Sequence, residues 1–354
     1  MRYGAIESKI RRMLAISLLV ILVGLAARGS DIPDLPTVVV IAPVEFVSAR
    51  VSAIPTSVPD AVPLASAPAR VAVRKAPRVP IQTAWAVAPK MLASASSAPQ
   101  NSAVALLLLD DASGTVLYHE GGRTPLPPAS LTKIATAILA IERGNLDEWV
   151  EVDVDSRIMH GSTVMGLMPG DHFTVRDLLY GLMLPSGNDA ALAIGRHVAG
   201  SDAAFVEQMN ELIARLGLIE SHFANPHGLN ATGHAASAHD LAMLARYAMT
   251  LPEFREIIGT SSWVASGSRN VPLFNVLNNV LYAIPGADGV KSGFTEQAGR
   301  TMVASALRDG HRLYVVVLND PRYEADVAAL LDWGFAAFDW SLTSAALTIG
   351  TGPG

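Results

Sequence analysis

The sequence predicts an α/β fold, on three observations. Two apolar strand-like runs, residues 104–109 and 115–118, flank Asp110-Asp111-Ala112-Ser113-Gly114, which has the residues of a tight turn, so the folded part opens on a hairpin. Stretches of helical period, several rich in alanine, then follow one another through the middle of the chain. Strand-like runs return late, over 301–306 and 312–318 around Arg308-Asp309-Gly310, and a helix over 325–338 closes the pattern.

Composition permits such a fold and narrows its use. At 354 residues, half hydrophobic (50%) and 16% charged, the chain can bury a sizeable core. A net charge of −6 gives no sign of nucleic-acid binding, which wants a basic face, so no nucleic-acid partner is expected. Cysteine is absent, which excludes a disulfide framework and thiolate zinc sites. The histidines stand in no His-Glu-x-x-His-like spacing; His222 and His227 flank an Asn-Pro break and read as loop hydrogen-bonders. No metal and no cofactor is expected.

The chain begins with Arg2, Lys9, Arg11 and Arg12, followed by a charge-free apolar run over 13–27 with small residues at Gly24, Ala26 and Ala27. That is the layout of a secretory signal peptide. The run is shorter than the ~18–20 residues of a comfortable membrane span, so residues 1–28 are read as a signal peptide, with an N-terminal membrane anchor as the alternative. Export and a membrane contact through this segment follow. Residues 29–100 are punctuated by proline from Pro33 to Pro99 and read as an extended linker, because proline interrupts helices and central strands alike. The folded domain is expected over 101–345, starting near Ser102. A short tail, 346–354, remains, and nothing after Leu342 is long enough for a further domain.

After the hairpin comes Pro128-Ala129-Ser130-Leu131-Thr132-Lys133, opening an apolar helix that runs to about Arg143, with Gly144 past its end. Residues three apart share a helix face, so the Lys133 amine can approach the Ser130 hydroxyl. A serine is a poor nucleophile until a base takes its proton, and a helix N-terminus favours developing negative charge. A lone Ser-x-x-Lys is usually a helix cap beside a solvated lysine. However, from Asn101 onward the only lysines are Lys133 and Lys291, in a domain that otherwise uses arginine. Arginine cannot serve as a base, whereas a buried lysine can lose its proton.

A helix is expected over 175–184. Pro185-Ser186-Gly187-Asn188-Asp189-Ala190 then turns into an alanine-rich helix, projecting the Ser186 hydroxyl and the Asn188 amide. Ser-x-Asn alone is weak, since Ser268-Arg269-Asn270 matches it too. Amphipathic helices over 202–216 and 237–249 enclose the loop His222-Phe223-Ala224-Asn225-Pro226-His227-Gly228-Leu229. In Asp288-Gly289-Val290-Lys291-Ser292-Gly293-Phe294-Thr295 a lysine and a hydroxyl stand beside a glycine that lets another backbone come close.

Taken together, these stretches resemble the serine D-alanyl-D-alanine carboxypeptidases, the low-molecular-mass penicillin-binding proteins. The resemblance rests on 128–133, 185–190, Asn225-Pro-His-Gly-Leu229 and 288–295 with Ala298-Gly299, in the family's order, and covers roughly 102–340. Supporting matches are Phe205-Val-Glu-Gln-Met-Asn210 and Ala236-Ser-Ala-His-Asp240. It implies a β-lactamase/transpeptidase-like fold, an antiparallel sheet flanked by helices plus an all-helical lobe. The implied activity is acyl transfer through an ester on Ser130, acting on peptidoglycan stem peptides and trapped by β-lactam antibiotics. In that scheme Lys133 is the base and Lys291 the cation that keeps it neutral. Ser186 relays a proton to the leaving group, and Asn188 holds the substrate amide and the Lys133 amine. Lys291 and Ser292 bind the terminal carboxylate; threonine is commoner at the latter place, and serine keeps the hydroxyl. Gly293 leaves room for the substrate strand, and the N–H groups of Ser130 and Phe294 form the oxyanion hole. Phe294 stands where some relatives carry a polar residue, which bears on deacylation. Arg300 and Arg322 are either further carboxylate contacts or surface arginines.

Three rival readings share the pattern. A class A β-lactamase would need a Glu-x-x-Leu-Asn loop after the second motif, and none is present. A DD-endopeptidase would use the same chemistry on cross-links, and the sequence does not separate it from a carboxypeptidase. A silent wall-binding domain is opposed by intact Ser130, Lys133, Ser186, Asn188 and Lys291.

Overall fold

A computed structural model describes residues 87–341. The expected signal peptide or anchor, most of the expected linker and the tail lie outside the described residues. In chain order, β1 (Lys90–Met91), β2 (Ala105–Asp110) and β3 (Val116–Glu120) lead to α1 (Lys133–Arg143). An antiparallel pair, β4 (Trp149–Glu151) and β5 (His172–Thr174), precedes α2 (Val175–Met183), α3 (Asn188–Ala199), α4 (Asp202–Arg215), α5 (Ala238–Ala248) and α6 (Pro252–Gly259). A hairpin of β6 (Ser262–Ser266) and β7 (Asn270–Phe274) and the short α7 (Asn278–Ala283) follow. Then come β8 (Ala287–Thr295), β9 (Gly299–Arg308), β10 (His311–Leu318), α8 (Tyr323–Ala337) and β11 (Phe338–Asp339).

The principal sheet is antiparallel, in the order β3-β2-β10-β9-β8. Its interior strands are covered on both faces, which is why β2 reads Ala-Leu-Leu-Leu-Leu with no polar alternation. Leu107 and Leu109 join Tyr314 and Val316 in the core shared with α1–α6. Leu106 and Leu108 join Val315, Val317 and the α8 residues Val327, Leu330 and Leu331 on the other side. Hydroxyl caps start three of the helices: Thr174 accepts from the Asp177 N–H, Ser201 from Ala204 and Ser237 from Asp240. Helix α3 stops at Gly200, whose φ of 82° is left-handed.

The fold begins earlier than the sequence reading placed it. Within the expected linker 29–100, Lys90–Met91 pairs antiparallel with Phe338–Asp339, Leu92 N–H donates to the Ala337 carbonyl at 2.9 Å, and the Trp333 indole donates to the Ser96 carbonyl at 3.0 Å. Pro89 and Pro99 bracket this stretch without falling inside it, so its backbone donors are free to pair; the proline count over the whole segment concealed that. No helix among the described residues is long and apolar enough to cross a membrane.

Candidate active site

Three remote segments meet at the β8 edge of the sheet. The first differs from expectation in one respect: Ser130 lies on a 3-10 turn, Ala129–Thr132, and Lys133 is the first residue of α1 rather than one turn inside it. The serine oxygen and the lysine nitrogen are nevertheless 2.8 Å apart. The second segment is the start of α3, where the Asn188 side-chain oxygen accepts from Lys133 Nζ at 2.5 Å. The third is β8. A Cβ placed on Gly293 would come within 2.8 Å of the Ser130 backbone nitrogen and 2.7 Å of the Thr301 hydroxyl, so only glycine lets this strand approach the serine turn.

Ser130, Ser186, Asn188, Lys291, Ser292, Gly293 and Phe294 all line one cleft of about 290 Å³, and Lys133, fully buried, lies behind Ser130 and Asn188 in contact with both. Among the described residues no hydrogen bond joins the Ser186 hydroxyl to Ser130 or Lys133; Ser186 itself has a left-handed φ of 65°, with its carbonyl held by the Thr163 hydroxyl at 2.7 Å. Phe294 is 63% exposed at the rim, directly across the ladder from Arg300. Arg300 lines the cleft and lies over the Tyr323 ring at 5.4 Å. Arg322 turns away, bridging to Asp326 at 3.3 Å.

Lys133 is completely buried, and its nitrogen has three neighbours: the Ser130 oxygen, the Asn188 oxygen and the His227 carbonyl at 2.7 Å. The latter two accept only. A neutral amine gives each of them one N–H and points its lone pair at the Ser130 O–H. Burial, then the charge of Lys291, holds Lys133 well below the ordinary lysine range, while Asp189 pulls the other way. Lys291 is also buried, 1% exposed, and burial lowers its pKa to about 7; its ammonium donates to the Ser292 carbonyl at 2.9 Å.

Several supporting residues escaped the sequence reading. The His227 carbonyl is one, since a backbone acceptor has no sequence signature. The loop carrying it is pressed against the serine turn: a Cβ on Gly228 would lie 1.9 Å from the Ala129 carbonyl oxygen. The Asn188 side-chain nitrogen donates to the Ser162 hydroxyl, so Ser162 fixes that amide's orientation. Asp189 is fully buried and accepts from the N–H groups of Met165, Gly166 and Leu167, each at 2.8 Å. Its place beside Asn188, at the head of an apolar helix, was the available signal. Elsewhere, Glu220, His239 and Asp240 gather with donor atoms near one another, and Arg123 already supplies positive charge there through its ion pair with Glu220.

A family model described as D-alanyl-D-alanine carboxypeptidase matches residues 92–322. D-alanyl-D-alanine carboxypeptidase DacB2 of Mycobacterium tuberculosis is 35% identical over 260 residues, 71% of this chain and 89% of its own length. DacC of Escherichia coli is 36% identical over 68% of this chain, which spans 63% of that relative's length. Among solved structures, the Streptomyces K15 DD-transpeptidase matches with a TM-score of 0.65 and 30% identity, over 68% of this chain and 100% of its own. A D-alanyl-D-alanine carboxypeptidase from Mycobacterium tuberculosis H37Rv matches with a TM-score of 0.65 and 34% identity, over 70% and 96%.

Proposed function

The chain belongs to the D-alanyl-D-alanine carboxypeptidase family, and from that premise we propose that it removes the terminal D-alanine of peptidoglycan stem peptides through an ester on Ser130. The observation that carries the reading is the surroundings of Lys133: a fully buried amine, held well below the ordinary lysine range by burial, whose nitrogen lies 2.8 Å from the Ser130 oxygen and is flanked by two carbonyl-type acceptors.

Ser130 Oγ attacks the carbonyl carbon of the penultimate D-alanine, and its proton passes to Lys133 Nζ. The oxyanion is met by the N–H groups of Ser130 and Phe294; one such donor is worth about 3–4 kcal/mol in other enzymes. The C–N bond then breaks, and the proton reaches the departing D-alanine amine through the Ser186 hydroxyl. Lys291 and the Ser292 hydroxyl hold the terminal carboxylate, and the approach of that carboxylate favours the charged form of Lys291. Asn188 holds the substrate amide. Water then attacks the ester carbonyl, giving a proton to Lys133 Nζ, which passes it to Ser130 Oγ as the C–O bond breaks. Among the described residues lining the cleft there is no carboxylate or histidine side chain to activate that water, which supports slow release of a penicilloyl adduct and opposes the β-lactamase reading. The substrate lies outside the cytoplasm, and residues 1–28 serve export in this scheme.

The likeness to a DD-transpeptidase favours a second reading, in which an amine replaces water as acceptor. Products from defined monomeric and cross-linked muropeptides separate the two. Free D-alanine with a shortened monomer is expected. Cross-linked product, or cleavage only of dimers, would contradict the carboxypeptidase reading.

A further inference from the structure

The backbone that presents Ser130 is strained. Ala129 has a left-handed φ of 49°, which costs a non-glycine residue on the order of 1 kcal/mol or more, so neighbouring groups must hold the turn in place. One contact does so locally: the Thr132 hydroxyl, fully buried, donates to the Ala129 carbonyl at 2.9 Å. A hydroxyl has one proton, and here it is spent. The same oxygen lies 2.8 Å from His234 Nε2, so that nitrogen must be the donor. On the other side of the ring the Ala224 N–H donates to Nδ1 at 2.9 Å, so Nδ1 must be bare. The two contacts together admit only the neutral, Nε2-protonated imidazole. An imidazolium would set N–H against N–H.

The ring is 6% exposed and tilted against Phe223, and no mechanistic step uses it. It joins two pieces that must keep register. One is the turn whose N–H and hydroxyl act on the substrate. The other is the bend at Ala224, opening the loop whose Pro226 carbonyl accepts from Thr136 at 2.6 Å and whose His227 carbonyl accepts from Lys133.

We propose that His234 is a positioning residue for acylation: as a neutral strut between Thr132 and Ala224 it locks the Ser130 turn against the loop that orients the Lys133 amine. Burial pushes its pKa down to about 4, with the nearby His222 adding to the shift, in keeping with the neutral form the geometry demands. The inference rests on Ser130 being the acylated residue. Failure of that reading shows as absence of labelling in the wild type, before any variant is compared.

The test is stopped-flow acylation by a fluorescent penicillin, resolving non-covalent binding from the covalent step, on full-length protein checked for folding by near-ultraviolet circular dichroism and melting. His234→Phe and Thr132→Val should each slow the covalent step by about tenfold or more, with non-covalent binding nearly unchanged. The double variant should be little slower than the slower single one, because both remove the same strut, and Thr132→Ser should restore most of the rate. Should His234→Phe not fold, the Thr132→Val and Thr132→Ser pair decides by the same criteria. A folded single variant that acylates at the wild-type rate, or losses that multiply in the double variant, would overturn the proposal.

Discussion

Lys133 and Lys291 are both buried, yet their surroundings set them different tasks. Lys133 Nζ lies within hydrogen-bond reach of the Asn188 oxygen, the His227 carbonyl and the Ser130 hydroxyl, so that in its neutral form two N–H groups go to the carbonyl-type acceptors and the lone pair is left for Ser130. Lys291 has one backbone acceptor, on Ser292, and opens on the cleft. Because its pKa is lowered to about 7 by burial, it is charged in the empty site below that pH and neutral above it. A carboxylate binds the charged form, so KM for a D-alanyl-D-alanine peptide should rise as pH climbs from 7 to 9, by up to about tenfold per unit. A KM that stays flat across that range in steady-state assays would mean that Lys291 does not supply the anchoring charge. At this scale the sequence was informative where residue type alone is chemical. Two lysines isolated in an arginine-using domain stood out, whereas Ser130 and Asn188 gained their weight from the order of the family-like motifs. His234 and the His227 carbonyl did not, because their roles depend on a tautomer and on a backbone atom.

The start of α3 does more than present Asn188. The Asp189 carboxylate gathers the N–H groups of Met165, Gly166 and Leu167 and so pins the loop whose Ser162 holds the Asn188 amide. An asparagine there keeps the shape but offers one acceptor oxygen and no charge. Asp189→Asn should therefore lower unfolding free energy by about 3 kcal/mol in urea titration, and slow acylation as the Asn188 amide loosens. Unchanged stability would show that the loop is held by other means. Elements with clean period or punctuation were legible. The helix over Asp202–Arg215 and the hairpin of β2 and β3 lie where apolar spacing and the Asp-Asp-Ala-Ser-Gly turn placed them. The strand β1 was not, because two residues pairing with a distant chain end carry no local pattern. The serine turn was read as α-helix because i,i+3 spacing does not distinguish a 3-10 turn from an α turn.

Across the whole molecule, long-range packing brings residues 130, 188 and 291 together, and this part was legible only through the family resemblance; periodicity gives elements, not their order in a sheet. The same packing makes stability depend on pH. His234 is buried neutral with a pKa of about 4 against an ordinary value of 6.5, so the unfolded chain binds the additional proton between those values. Stability is then full above pH 6.5 and falls as pH drops toward 4, by up to about 3 kcal/mol from this residue; His227, lowered to about 4 by burial and by Lys133, acts in the same direction. Melting temperatures measured from pH 7 to pH 4 should fall steadily, and a constant value would show that both rings accept protons without cost. The most direct measurement of the central claim is peptide mass spectrometry after exposure to penicillin. A penicilloyl mass is expected on Ser130 in the wild type, none in Ser130→Ala, and almost none in Lys133→Ala. An adduct on another residue, or wild-type labelling of Lys133→Ala, would contradict the assignment of Ser130 as nucleophile and Lys133 as its base.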